Sequence, residues 1–212
     1  MSQLSLQILQ SEHRALSAVL RSIELLLGES RRHGRAPEFD ALRAMLFYID
    51  EFPEKLHHPK ESLLLFPKLR GRSAAVDRVL ARLDRDHEHG GHLIQELQHL
   101  LLKFEIMGGA SDHGSHRTNF EDSVHRYVDF YLAHMRVEDS EILPLARASL
   151  SAEDWADLDE AFTANRDPLA GCEPDPEHHP MFETLLAVLS PTSVGSAIEA
   201  LAGVARPTRP QA

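Results

Sequence analysis

The sequence predicts an all-α protein: an antiparallel up-and-down four-helix bundle with an additional short C-terminal helical segment. Apolar residues recur at spacings of three and four over long stretches, strand-like alternation of useful length is missing, and glycine or proline separates the periodic blocks. At 212 residues and 42% hydrophobic content, the chain can bury one substantial core.

The first block runs from Gln3 to Leu27, where Leu6, Leu9, Leu16, Val19, Leu20, Ile23, Leu26 and Leu27 form one stripe that Gly28 is expected to stop. After a polar linker, Pro37 is placed to open a second helix through Phe39, Leu42, Met45, Leu46, Ile49, Phe52 and Leu56 towards Phe66 and Leu69. Pro53, Pro59 and Pro67 lie within or at the end of it. An interior proline removes a backbone donor and crowds the preceding turn, so this helix is expected to kink or briefly break near His57. A third helix is expected from Ala74 to Met107, stopped by Gly108 and Gly109, and a fourth over roughly Asn119 to Ala148. Ser151 and Asp154 form a capping-box pattern that opens a shorter fifth helix through Trp155, Leu158 and Phe162. The stretch from Pro168 to Pro180 is rich in proline and charge, a short helix is expected around Phe182 to Leu189, and the end is expected to be disordered. A bundle is expected over residues 1–150 and an extension over 151–212.

A formal net charge of −11, without a dense Lys/Arg run, argues against nucleic acid and anionic membrane as partners. The N-terminus lacks a basic segment followed by an apolar core, and no stretch approaches the ~18 apolar residues of a membrane span, so a cytoplasmic protein is expected. Cys172 is the lone cysteine, which leaves nitrogen and oxygen to hold any metal. The composition is unusual in its 14 histidines, and their positions decide what they do.

An internal repeat organises them. His57-His58-Pro59-Lys60-Glu61 through Arg70 aligns without gaps on His134-Met135-Arg136-Val137-Glu138 through Arg147, with Pro67 on Pro144. A looser match sets Ser11-Glu12-His13 on Arg85-Asp86-His87. The spacing from the first to the second histidine is 44 residues in one half and 47 in the other, so two similar hairpins are implied. In each His-x-x-x-Glu the two side chains are about 40° apart around a helix and roughly 6 Å apart along it. In an up-and-down bundle all four histidines fall near one level of the core. Left there without a cation, these groups would each cost several kcal/mol of desolvation. His13, His57, Glu61, His87, His134 and Glu138 are therefore the candidate metal ligands. A set of imidazoles with bridging carboxylates suits two iron ions, with manganese or zinc as competitors, and leaves positions for a solvent bridge and for dioxygen, nitric oxide or peroxide.

Through HHPKESLLLFP and HMRVEDSEILP, together with His13 and His87, the sequence resembles the hemerythrin-like, or HHE cation-binding, family over about residues 8 to 148. The resemblance implies a non-haem di-iron centre bridged by carboxylates in a four-helix bundle. It spans oxygen carriers, oxygen sensors and repair-of-iron-centres proteins. The carriers have a further histidine on the third helix, where this chain has Gly91, so the pattern is closer to the repair type. The carriers also end in H-x-x-x-x-D, a spacing that His134 and Asp139 satisfy. An i+5 ligand would need a π-bulge, and Glu138 is preferred. The implied functions are a sensor or stress-defence factor that binds or reacts with a small molecule, or alternatively an iron donor to damaged iron–sulfur centres. A zinc or purely structural site is the third reading.

His58 is expected to lie away from the site, because adjacent helical positions point about 100° apart. His89, His92, His99, His113, His116 and His125 are expected to be solvated. Glu12 and Asp86 are either partners of neighbouring histidines or, more commonly for such acids, exposed. Gly90 and Gly91 either thin the wall over the site or kink the helix, and Tyr48 and Tyr127 are read as packing residues with a polar tip.

Overall fold

The computed structural model describes residues 4–108 and 114–170, together with residues 176, 179, 182, 183 and 185. Helix α1 spans Leu4–Arg32. Helix α2 covers residues 39–69: an α-helical start at Phe39–Ile49, π-helical Asp50–His57, a turn at His58–Lys60, π-helical Glu61–Leu65 and a last turn at Phe66–Leu69. Helix α3 is Ala74–Met107. Helix α4 covers residues 115–149, with Ser115–Val137 and Leu143–Ser149 flanking a π-helical Glu138–Ile142. Helix α5 is Ala152–Thr163, followed by a 3-10 turn at Pro168–Ala170. Each of α1 and α3 packs against both α2 and α4, which closes the four into a bundle, and short connections make sequential neighbours antiparallel.

Two boundaries differ from expectation. Helix α1 runs through Gly28, since one glycine costs a helix interior only about 1 kcal/mol. It ends where Gly34 takes φ +61 and the amides of Gly34 and Arg35 bond the carbonyls of Arg31 and Ser30, a closing motif that needs a left-handed residue. Helix α4 begins at Ser115, ahead of the expected Asn119. The box at Ser151 forms as expected, its hydroxyl accepting from the Asp154 amide while the Asp154 carboxylate accepts from the Ser151 amide.

The irregularity expected near His57 takes the form of wider turns, which absorb the prolines and keep the helix continuous. The amide just before Pro59 (His58) bonds the carbonyl of Pro53, the one before Pro67 (Phe66) bonds Glu61, and the one before Pro144 (Leu143) bonds Glu138. Each bond spans five residues, which makes room for the proline ring that an α turn would crowd against the carbonyl four residues back. The repeat in sequence is thus a repeat in backbone: both candidate glutamates accept a π-type bond on their own carbonyls.

The core is layered along the bundle axis. One cluster gathers Leu16, Val19, Phe52, Ile94, Leu97, Tyr131 and Met135, and the other gathers Leu6, Leu9, Phe66, Leu80, Leu83, Ile142 and Leu143. On every bundle helix the candidate ligands sit between residues of the first cluster and residues of the second. Helix α5 adds Trp155, Leu158 and Phe162 to the second cluster, and Ser5 donates through its amide and hydroxyl to Asp159 at 2.7 and 2.6 Å. Most of the helix expected around Phe182 to Leu189, and the tail after it, lies outside the described residues; Phe182 and Leu185 are buried in the first cluster. Among the described residues no helix is long and apolar enough to cross a membrane.

Candidate metal centre

All six candidates meet in the polar layer. His13 comes from α1, His57 and Glu61 from α2, His87 from α3, and His134 and Glu138 from α4; every one is buried. The histidines pair by hairpin, with Nε2 of His13 3.2 Å from Nε2 of His57, and Nε2 of His87 3.0 Å from Nε2 of His134. The glutamates lie across the two pairs. Glu138 places Oε1 3.1 Å from His134 Nε2 and Oε2 3.4 Å from His13 Nε2, while Glu61 Oε2 lies 3.3 Å from His57 Nε2 and 3.5 Å from His87 Nε2.

The outward nitrogens show why the pairs need a cation. His57 Nδ1 lies 2.6 Å from Glu12, His13 Nδ1 2.9 Å from Asp139, His134 Nδ1 3.4 Å from Asp86, and His87 Nδ1 2.9 Å from the Ser62 hydroxyl. A carboxylate only accepts, so Nδ1 is the protonated nitrogen of His13, His57 and His134. For a neutral ring the lone pair then lies on Nε2, and in the His13–His57 pair two lone pairs face one another. A proton or a metal must sit between them. Burial opposes charge on His57, but Glu61 and Glu12 outweigh it and keep its pKa well above the ordinary value. Burial is likewise overcome at His134, where Glu138 and Asp86 raise the pKa to about 10.

The outer partners obey the same repeat. Glu12 and Asp86 each precede the first histidine of a half and hold the second histidine of that half. Ser62 and Asp139 each follow the glutamate of a half and hold the first histidine of the other half. Glu12 is buried, against the commoner expectation for such an acid, because His57 and the Asn165 amide both bond it. Asp139 bonds the outward nitrogen of His13 from the rim of the layer, with its side chain 48% exposed, although the π segment that an i+5 ligand would require is present.

The donor set fits metal. Both oxygens of Glu61 and of Glu138 are buried without a hydrogen-bond partner, a large cost that a metal would remove. Two nitrogens bound at about 2.1 Å and at a right angle lie about 3 Å apart, matching both Nε2 pairs. The hemerythrin HHE cation binding domain model matches residues 4–146, which takes in the six candidates and all but the last three residues of the four bundle helices. The chain belongs to the hemerythrin HHE cation-binding family. Neither a curated protein nor a solved structure matches it. The hemerythrin fold is thereby established for this chain, and with it a cation-binding domain whose His and Glu groups could hold the metal.

This hemerythrin domain carries features that sequence reasoning missed. His58 does not lie away from the layer: it is 3% exposed and packs beside His87, with ring centroids 4.4 Å apart. His89, His92, His99 and His125 are exposed as expected. Tyr127 and Tyr131 both donate to Glu54, and Gly90 is the notch that admits Tyr131, since a Cβ there would lie 1.7 Å from the phenol oxygen. Tyr48 donates to Asp167 at 2.7 Å. After α5, Arg166 adopts φ 49, and both its neighbours turn inward: Asn165 to Glu12, Asp167 to Tyr48. This turn closes the His57 side, leaving a cavity of about 10 Å³, at most a single water. Between α2 and α3 an open cleft of about 460 Å³, lined by Glu54, Ser62, Asp84 and Glu88, ends on His58 and His87.

Burial, reinforced by the charge of Glu12, pushes the Asp167 carboxyl up to about 7, from about 3.9 in an unfolded chain. Below about pH 4 it is neutral in both states and its contribution to stability is fully present; as pH rises through about 7 the fold must bury a charge, and that stability is lost. Asp167→Asn cannot ionise. Thermal melts between about pH 5 and 8 should show the wild type losing roughly 2–3 kcal/mol relative to this variant; a pH-independent difference between the two would refute the assignment.

Proposed function

We propose that this chain is a non-haem di-iron protein, with His13, His57, His87 and His134 holding two irons in hairpin pairs and Glu61 and Glu138 bridging them, and that it binds or reacts with dioxygen, nitric oxide or peroxide as a sensor or stress-defence factor. The observation that carries this reading is the set of four buried carboxylate oxygens without hydrogen-bond partners, lying across two Nε2 pairs. Iron would supply the redox chemistry for a diatomic or peroxide ligand.

The chain's own residues set the conditions. Carboxylates on Nδ1 fix the tautomer and ring plane of three histidines and make their Nε2 more basic. The apolar clusters above and below exclude bulk water from the layer. Access runs through the α2–α3 cleft, whose Glu54, Asp84 and Glu88 favour neutral ligands and disfavour anions. Glu12→Gln keeps an acceptor on His57 but removes its charge, and is expected to weaken metal affinity by roughly 10–100-fold in a chelator competition assay; wild-type affinity would count against the role given to Glu12.

The decisive experiment is elemental analysis of protein isolated without added metal, then anaerobic titration with dioxygen and with nitric oxide, followed by absorption in the charge-transfer region. About two irons per chain and a ligand-dependent band support the reading. Bound zinc, or iron with no optical response to any of the ligands, overturns it, and fast iron transfer to an apo iron–sulfur protein would instead favour the donor reading.

A further inference from the structure

We infer that His58 is a fifth imidazole ligand of the centre, serving the metal held by His87 and His134. The inference rests on the metal-binding reading above. His58 offers a ring nitrogen within 4.8 Å of nitrogens of both His87 and His134, and all three rings are buried.

Its surroundings repeat those of the other histidines in the layer. His58 Nδ1 lies 3.3 Å from Glu54 Oε2, so Nδ1–H donates to a carboxylate and Nε2 keeps the lone pair, the arrangement seen at His13, His57 and His134. Glu54 is itself anchored on its other oxygen by the hydroxyls of Tyr127 at 3.0 Å and Tyr131 at 2.5 Å. The Tyr131 ring lies parallel to His58, 5.3 Å between centroids and 4° between planes, and Gly90 is bare where Tyr131 must pass. A buried carboxylate, two tyrosines and a glycine notch thus fix the orientation of one ring. A histidine with no ligand to hold would not need its tautomer set so firmly, and apolar packing would fill the space at lower desolvation cost. The placement also makes the two metals unlike: the His13–His57 side has two imidazoles and the His87–His134 side has three, at the inner end of the α2–α3 cleft.

Cobalt(II) tests this without reference to activity. In the cobalt-loaded full chain, each coordinated histidine whose Nδ1–H is retained gives one strongly shifted, solvent-exchangeable proton resonance, assignable by ¹⁵N labelling of histidine. Five such resonances are expected in the wild type, from His13, His57, His58, His87 and His134, and four in His58→Gln. Four in the wild type, or the same five in His58→Gln, overturns the inference while leaving the metal-binding reading intact. A wild type that takes up no cobalt overturns both. The wild-type count alone decides the matter should the variant fold poorly.

Discussion

Replacing Glu61 and Glu138 together by alanine should abolish metal binding, leaving none measurable by elemental analysis. These are the carboxylates that lie across both histidine pairs, and without them the facing Nε2 atoms of His13, His57, His87 and His134 have no carboxylate beside them. The same variant should lose the rise in melting temperature that metal gives the wild type, because a ligand that binds only the folded state stabilises it by about 2.7 kcal/mol at a hundredfold excess over its Kd. Single variants should retain partial occupancy, since each glutamate faces both pairs. Undiminished metal content in a folded double variant would remove these carboxylates from the ligand set.

Gly90→Ala should destabilise the fold by about 3 kcal/mol or more, far beyond the small helix-favouring effect of alanine. The added Cβ would sit 1.7 Å from the Tyr131 hydroxyl and 2.6 Å from the ring carbon bearing it. Tyr131 is wholly buried and bonded to Glu54, so the ring cannot swing aside. In a Tyr131→Leu background the same change should cost less, giving a coupling of at least about 1 kcal/mol in a double-mutant cycle followed by urea unfolding. Additive effects would show that Gly90 answers to some other constraint.

The histidine, glutamate and proline pattern made much of the centre legible. His-x-x-x-Glu places two donors on one helix face by local geometry alone, and near-equal spacing in the two halves brings both copies to one level, so the six candidates converge as expected. The outer partners were half legible: Glu12 and Asp86 occupy matching places in the repeat, and so do Ser62 and Asp139, but the exchange of the latter pair across halves appears only once the hairpins are packed. Nothing local marks Asn165 or Asp167, which reach Glu12 and Tyr48 across more than a hundred residues through a left-handed turn at Arg166.

Helical periodicity and four-residue spacing are short-range properties of the chain, and they were enough to place the four bundle helices and the layer at which the six candidates meet. Tertiary structure alone decided the status of His58. On an isolated helix, neighbours about 100° apart cannot share a face. Helix α2, however, lies between α1 and α3, so His57 turns to His13 while its neighbour turns to His87, and both are buried. The prolines followed the same logic: chain chemistry required that the backbone yield near Pro59, Pro67 and Pro144, and packing on both sides decided that it yield by widening its turns and keep the helices whole.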